Sequence, residues 1–109
     1  MKQVVKGEIY YADLGSGKGS EQNGVRPVII IQNNHENKFS STTIIAPITG
    51  QFKKFDKTHI ILDCLRKKSN ILLEQMRVVD KSRLKEYICK VDDKTMIEIN
   101  RKILITLGI

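Results

Sequence analysis

Short apolar runs separated by polar, glycine-bearing stretches set the pattern along most of this chain. Ile9-Tyr10-Tyr11-Ala12-Asp13-Leu14 is rich in residues that favour extended backbone and predicts a first strand. Gly15-Ser16-Gly17-Lys18-Gly19-Ser20 predicts a flexible, turn-rich loop. Residues 28–32 form a short run of apolar, β-branched side chains that ends at Gln32, the pattern of a strand covered on both faces. Residues 33–38 are polar and predict a turn. Thr42-Thr43-Ile44-Ile45-Ala46-Pro47-Ile48-Thr49 predicts a third strand, and Pro47, lacking an N–H, places it at a sheet edge or a bulge. Residues 58–63 predict a fourth strand and residues 71–79 a fifth. Residues 80–84 suit a short helical turn, and residues 87–91 a last strand.

The period then changes. Met96, Ile99, Ile103 and Leu107 recur at spacings of three or four, which predicts an amphipathic helix. Asp92 and Asp93 suit its start, by capping and by complementing the helix dipole, and Gly108 stands where it would stop. Several short strands followed by one helix predict a mostly β fold with α attachments, a small, partly closed antiparallel β-barrel. With 109 residues and no internal repeat, linker or low-complexity segment, one domain over 1–109 is expected.

Composition narrows the partners. The formal net charge of +7 favours polyanions, whether nucleic acid, an acidic protein segment or a membrane surface, although a lysine-rich face also serves solubility alone. No apolar run approaches the roughly 20 residues needed to span a bilayer. The first eight residues, Met1-Lys2-Gln3-Val4-Val5-Lys6-Gly7-Glu8, lack the apolar stretch of a secretory signal. A cytoplasmic location without membrane attachment is therefore expected. Cys64 and Cys89 lack CxxC spacing and in that compartment would stay reduced, as small packed side chains. Neither His35 nor His59 sits at ligand spacing with them, so no zinc site is expected. There is no phosphate-binding glycine loop, paired-histidine pattern or carboxylate cluster for Mg²⁺, and no cofactor is expected.

Candidate chemistry concentrates where a polar loop runs into a buried strand: Gly19-Ser20-Glu21-Gln22-Asn23-Gly24-Val25-Arg26-Pro27, then the apolar run. Loops carry reactive groups and strands hold them in place. Arg26 presents a fork of donors that matches phosphate, with Gly24 and Pro27 constraining the backbone around it. An ordinary ion pair with Glu21 accounts for Arg26 equally well. Thr49 ends a strand beside Gly50, so its hydroxyl is aimed at a cleft or is there for β-propensity. In a regular strand Glu74 and Met76 would share one face and Gln75 and Arg77 the other, a pair fit to meet bases and phosphate or simply water. Lys53 and Lys54 beside Phe55 combine charge with a ring face, as single-strand binders do, while Phe52 and Phe55 would serve equally as core. The basic turn Arg66-Lys67-Lys68 carries the same two readings.

With these residues in view, the chain resembles the MazF/PemK toxins of bacterial toxin–antitoxin modules. The resemblance lies in residues 19–28 followed by Ile31-Gln32-Asn33, in Lys6-Gly7-Glu8-Ile9-Tyr10-Tyr11-Ala12-Asp13-Leu14, in Ala46-Pro47-Ile48-Thr49, and in Leu72-Leu73-Glu74-Gln75-Met76-Arg77-Val78-Val79-Asp80. It covers nearly the whole chain in order, and departs most after Gly50. It implies a homodimer of SH3-like barrels with peripheral helices. It also implies a sequence-specific, metal-independent endoribonuclease that cuts single-stranded mRNA and is inhibited by the acidic tail of a MazE-like antitoxin. Arg26 and Thr49 then fall at the catalytic positions, and Ser20, Glu21, Gln22, Lys53, Lys54, Gln75 and Arg77 are candidate RNA contacts. Two alternatives remain at this stage: a toxin of the same architecture that poisons DNA gyrase, and a noncatalytic RNA-binding barrel.

Overall fold

The structure, a computed structural model, describes residues 3–16, 19, 23–50, 60, 62, 64–65 and 69–109. Six strands appear in chain order: β1 (Glu8–Asp13), β2 (Val25–Ile30), β3 (Thr42–Thr49), β4 (Asn70–Ile71), β5 (Arg77–Asp80) and β6 (Leu84–Lys90). Helix α1 (Asn34–Phe39) follows β2, and α2 (Asp93–Leu107) follows β6. All pairings are antiparallel, in the order β4-β3-β2-β1-β6, with β5 also on β3. Among the described residues β4 and β6 do not pair, so hydrogen bonds do not close the barrel.

Side-chain alternation splits the core in two. Ile9, Ile29, Ala46 and Ile48 point to one face, where Ile71, Leu73 and Ile99 of α2 join them. Tyr10, Val28, Ile30 and Ile45 point to the other, with Val4, Leu14, Val79 and Leu84. The second half of β2, Val28 to Ile30, is thus covered on both sides, as its apolar run predicts, while Val25 and Arg26 are exposed.

Pro47 is neither at an edge nor at a bulge. β3 is internal, pairing with β2 on one side and with β5 and then β4 on the other. β5 holds residues 42–45 and β4 holds Ile48 and Thr49, so Pro47 lies where the partner changes. Its carbonyl accepts from the Leu72 N–H (2.8 Å). A strand residue's N and O face the same way, so the missing N–H costs no bond to β2.

Three further expectations are corrected. The run over residues 71–79 is not one strand: a 3₁₀ turn at Leu73–Gln75 buries Leu73 and separates β4 from β5, which removes the shared face expected for Gln75 and Arg77. The polar stretch after β2 is a helix, α1, capped by the Asn33 side chain on the Glu36 N–H (2.9 Å). Buried Asn37 holds it down: its Oδ1 accepts from Thr43 Oγ1 (2.7 Å) and Gln32 Nε2 (3.0 Å), its Nδ2 donates to the Gln32 carbonyl (2.8 Å), and its carbonyl accepts from buried Lys81 Nζ. Finally, Cys64 and Cys89 are not separate thiols; they are joined by a disulfide across 25 positions. The strand expected over residues 58–63 lies largely outside the described residues, although Ile60 and Leu62 within it are buried.

The end of the chain follows its periodicity. Asp92 caps α2 on the Thr95 N–H (2.8 Å), and Gly108 terminates it at φ 73°. Met96, Ile99 and Ile103 pack on the core, whereas Leu107 is exposed with Ile97, Leu104, Ile105 and Ile109. No helix among the described residues is long and apolar enough to cross a membrane.

Candidate active site

The β1–β2 ladder continues past Asp13 through Leu14 N–H to the Gly24 carbonyl (2.9 Å) and Gly24 N–H to the Gly15 carbonyl (2.8 Å). These bonds fix the base of the loop, with Gly24 at φ 69°, a conformation that favours glycine. Arg26 follows on β2, its side chain exposed and its Nε donating to the Asn23 carbonyl (3.1 Å). That contact uses Nε and not the two terminal nitrogens of the fork. Glu21, the expected ion-pair partner, lies outside the described residues.

β3 brings the second group. Its ladder with β2 ends at the Val28–Pro47 pair, and Arg26 and Thr49 each lie two residues past it, at the same end of the two strands. Thr49, half-buried, faces Asn70 of β4 on its other side. Arg26 and Thr49 line one cavity of about 510 Å³. Pro27 and Ile48 continue its floor from the same strands, Gly50 from just past the end of β3, and Ile88 enters from β6. The remaining wall comes from Cys64, Leu65 and Ser69 in the segment that precedes β4. A charged fork and a hydroxyl on an apolar floor can hold a phosphate group and exclude some of its water.

Tyr11 also lines the cavity, and inspection of the sequence does not single it out. It pairs with Pro27 across the strands and is 40% exposed. Its neighbour Tyr10 is turned into the core, 5% exposed, and donates to Glu8 Oε1 (3.1 Å). Burial, with the Glu8 carboxylate adding to it, pushes the Tyr10 phenol up to about 12. The available signal was the Tyr10-Tyr11 doublet: in an alternating strand one ring must face outward.

The other expected site residues are placed elsewhere. Gln75 is half-buried in the 3₁₀ turn, Arg77 is exposed at the start of β5 opposite Ile45, and neither lines the cavity. Ser20, Glu21, Gln22, Lys53 and Lys54 lie outside the described residues, as do Phe52, Phe55, His59 and the basic turn at 66–68. Among the described residues no group of three or more His, Cys, Asp or Glu is arranged to hold a metal ion.

Comparison with known proteins adds sequence to geometry. Residues 5–107 match the model of the PemK-like, MazF-like toxins of type II toxin–antitoxin systems. An endoribonuclease MazF from Staphylococcus saprophyticus is 49% identical, over 95% of this chain and 91% of that protein. Among solved structures, MazF from Deinococcus radiodurans superposes with a TM-score of 0.84 at 20% identity, covering 100% of both chains. A mycobacterial endoribonuclease solved with its cognate antitoxin superposes with a TM-score of 0.73 at 22% identity, covering 100% of this chain and 97% of that one. These likenesses bear out the mostly antiparallel, small barrel-like fold with its C-terminal helix.

Proposed function

The chain belongs to the PemK-like, MazF-like toxins of type II toxin–antitoxin systems, and on that premise we propose that it is a sequence-specific endoribonuclease that cuts single-stranded mRNA without a metal ion. The observation that carries this reading is the meeting of Arg26 and Thr49 in one cavity, on a chain of net charge +7. RNA brings its own nucleophile. The ribose 2′-oxygen attacks the adjacent phosphorus, the bond to the 5′-oxygen breaks, and the products are a cyclic phosphate and a 5′-hydroxyl end. The proton lost from the 2′-hydroxyl ends on the departing 5′-oxygen, carried by water or a phosphate oxygen.

The protein has two tasks: aligning attacking and leaving oxygens, and stabilising charge on the phosphorane. Arg26 serves the second by charge and Thr49 by hydrogen bond. Tyr11, at the rim, offers a ring face on which a splayed base stacks. Ser20, Glu21, Gln22, Lys53, Lys54, Gln75 and Arg77 are the further RNA contacts on this reading and carry its sequence preference.

The net positive charge of the chain suits the acidic tail of a MazE-like antitoxin, which inhibits by covering the cavity. The exposed apolar side chains of α2, Ile97, Leu104, Ile105 and Leu107, suit the homodimer expected of the family. The whole chain, 1–109, is one such domain.

The test is purified protein on a long unstructured RNA with metal chelated, followed by mapping of 5′ ends. Cleavage at a recurring short sequence is expected. Arg26→Ala and Thr49→Ala should each slow it by about 10²–10³, the scale of a deleted oxyanion contact. Undiminished cleavage by both variants would remove the pair from catalysis, and loss of cleavage on chelation would remove the metal-free reading.

A further inference from the structure

The Cys64–Cys89 disulfide is set into the active-site wall. Cys64 lines the 510 Å³ cavity with Arg26 and Thr49. It also lines a second cavity of about 300 Å³, with Lys90, Val91, Asp92 and Thr95 at the start of α2. Cys64 is therefore common to the linings of both spaces. Cys89 belongs to β6, where it pairs with Ile9 of β1, and its neighbour Ile88 is itself a cavity residue.

What the bridge secures is the wall bearing Leu65 and Ser69. Among the described residues between Gly50 and β4 there is no strand pairing; Ile60 and Leu62 are anchored by burial, and Cys64 and Leu65 form a half-buried turn. The covalent tie from this turn to the rigid sheet runs through Cys64 and Cys89, their Cα atoms 6.2 Å apart. A catalytic cavity needs walls held by rigid elements, since small displacements are costly in rate.

We propose that this disulfide is a thiol–disulfide exchange site that sets the order of the active-site wall, so that the oxidised protein is the competent form and a small-molecule or protein dithiol lowers its activity. The proposal rests on the reading of the cavity as a ribonuclease site. The exchange balances with the dithiol as reductant. One thiolate attacks Sγ of Cys64, the bridge residue that lines the cavity, forming a mixed disulfide and releasing Cys89 as a thiolate that takes up a proton. The second thiol of the reductant then attacks its own bound sulfur and expels Cys64, which is also protonated. Two electrons and two protons pass to the protein, and the reductant leaves as its own disulfide.

The experiment compares oxidised protein, protein reduced with dithiothreitol, and Cys64→Ala/Cys89→Ala, each checked for folding by circular dichroism and for thiol state by alkylation and mass. Two readouts are taken: cleavage of single-stranded RNA, and hydrogen exchange of the Leu65, Ser69 and Asn70 amides. Reduction is expected to slow cleavage about tenfold with the fold retained, to speed exchange at those amides, and to be reversed by reoxidation; the double variant should match the reduced form and ignore dithiothreitol. Unchanged exchange on reduction overturns the proposal, and so does equal cleavage by the two forms. If neither form cleaves RNA, the ribonuclease reading fails, while faster exchange on reduction still supports the bridge as the tie of this wall.

Discussion

Tyr10 and Tyr11 are neighbours in sequence with opposite fates, and each makes a prediction. The Tyr10 phenol is raised above its unfolded value of 10.0 to about 12 by burial first and by Glu8 second. The folded state then holds a proton that the unfolded state releases. This contribution to stability is complete below pH 10.0 and disappears as pH rises towards about 12. Urea midpoints should fall across that window in the wild type, and Tyr10→Phe should flatten the fall. Tyr11→Ala should raise KM for RNA about tenfold, on the scale of one lost base stack, while Tyr11→Phe keeps the ring and KM. A KM for Tyr11→Ala equal to wild type would exclude the ring from binding. Arg26 and Thr49 drew attention in the sequence beside Pro27 and Gly50, the family resemblance paired them, and the fold brings both to one cavity. Tyr11 did not, because the doublet leaves open which ring faces out until the pairing with Pro27 is known.

Among the elements, α2 was the most legible, since its period, its cap and its stop residue agree. Asp92 accepts from the Thr95 N–H, and that hydrogen bond holds its carboxyl below the ordinary 3.8. A depressed carboxylate contributes stability that is present above the ordinary value and is lost as pH falls through the folded one. Helical signal should therefore decline on acidification below pH 3.8, and Asp92→Asn, which still accepts but does not titrate, should remove this cap's share of the decline. α1 was illegible because it has no apolar stripe; side-chain polar bonds secure it. Asn37→Ala would leave the buried Thr43 hydroxyl without its acceptor and the Gln32 amide with one fewer, so chemical denaturation should show a loss of about 2 kcal/mol. The run ending in β5 misled for the opposite reason. Its apolar residues suit a strand, yet burying Leu73 through a 3₁₀ turn fills the core under α2.

For the whole molecule, charge named a class of partner without naming a surface, and the number of cysteines did not indicate their bridge, because a separation of 25 residues carries no distance. If RNA binding neutralises four phosphates, the logarithm of affinity should fall against that of salt with a slope of about −3. A flat salt response would move the basic residues away from the RNA path. Reducing the disulfide should lower stability by about 3.5 kcal/mol on loop-entropy grounds, read as a lower thermal midpoint. The sheet order has a consequence for how the molecule comes into being. β1, made first, is sandwiched between β2 and β6, and Glu8 finds its partner only at Lys90. A nascent chain on the ribosome therefore cannot complete its central sheet until the final quarter has emerged. If the protein does destroy messages, it leaves the one it is being translated from unharmed until that reading is nearly done.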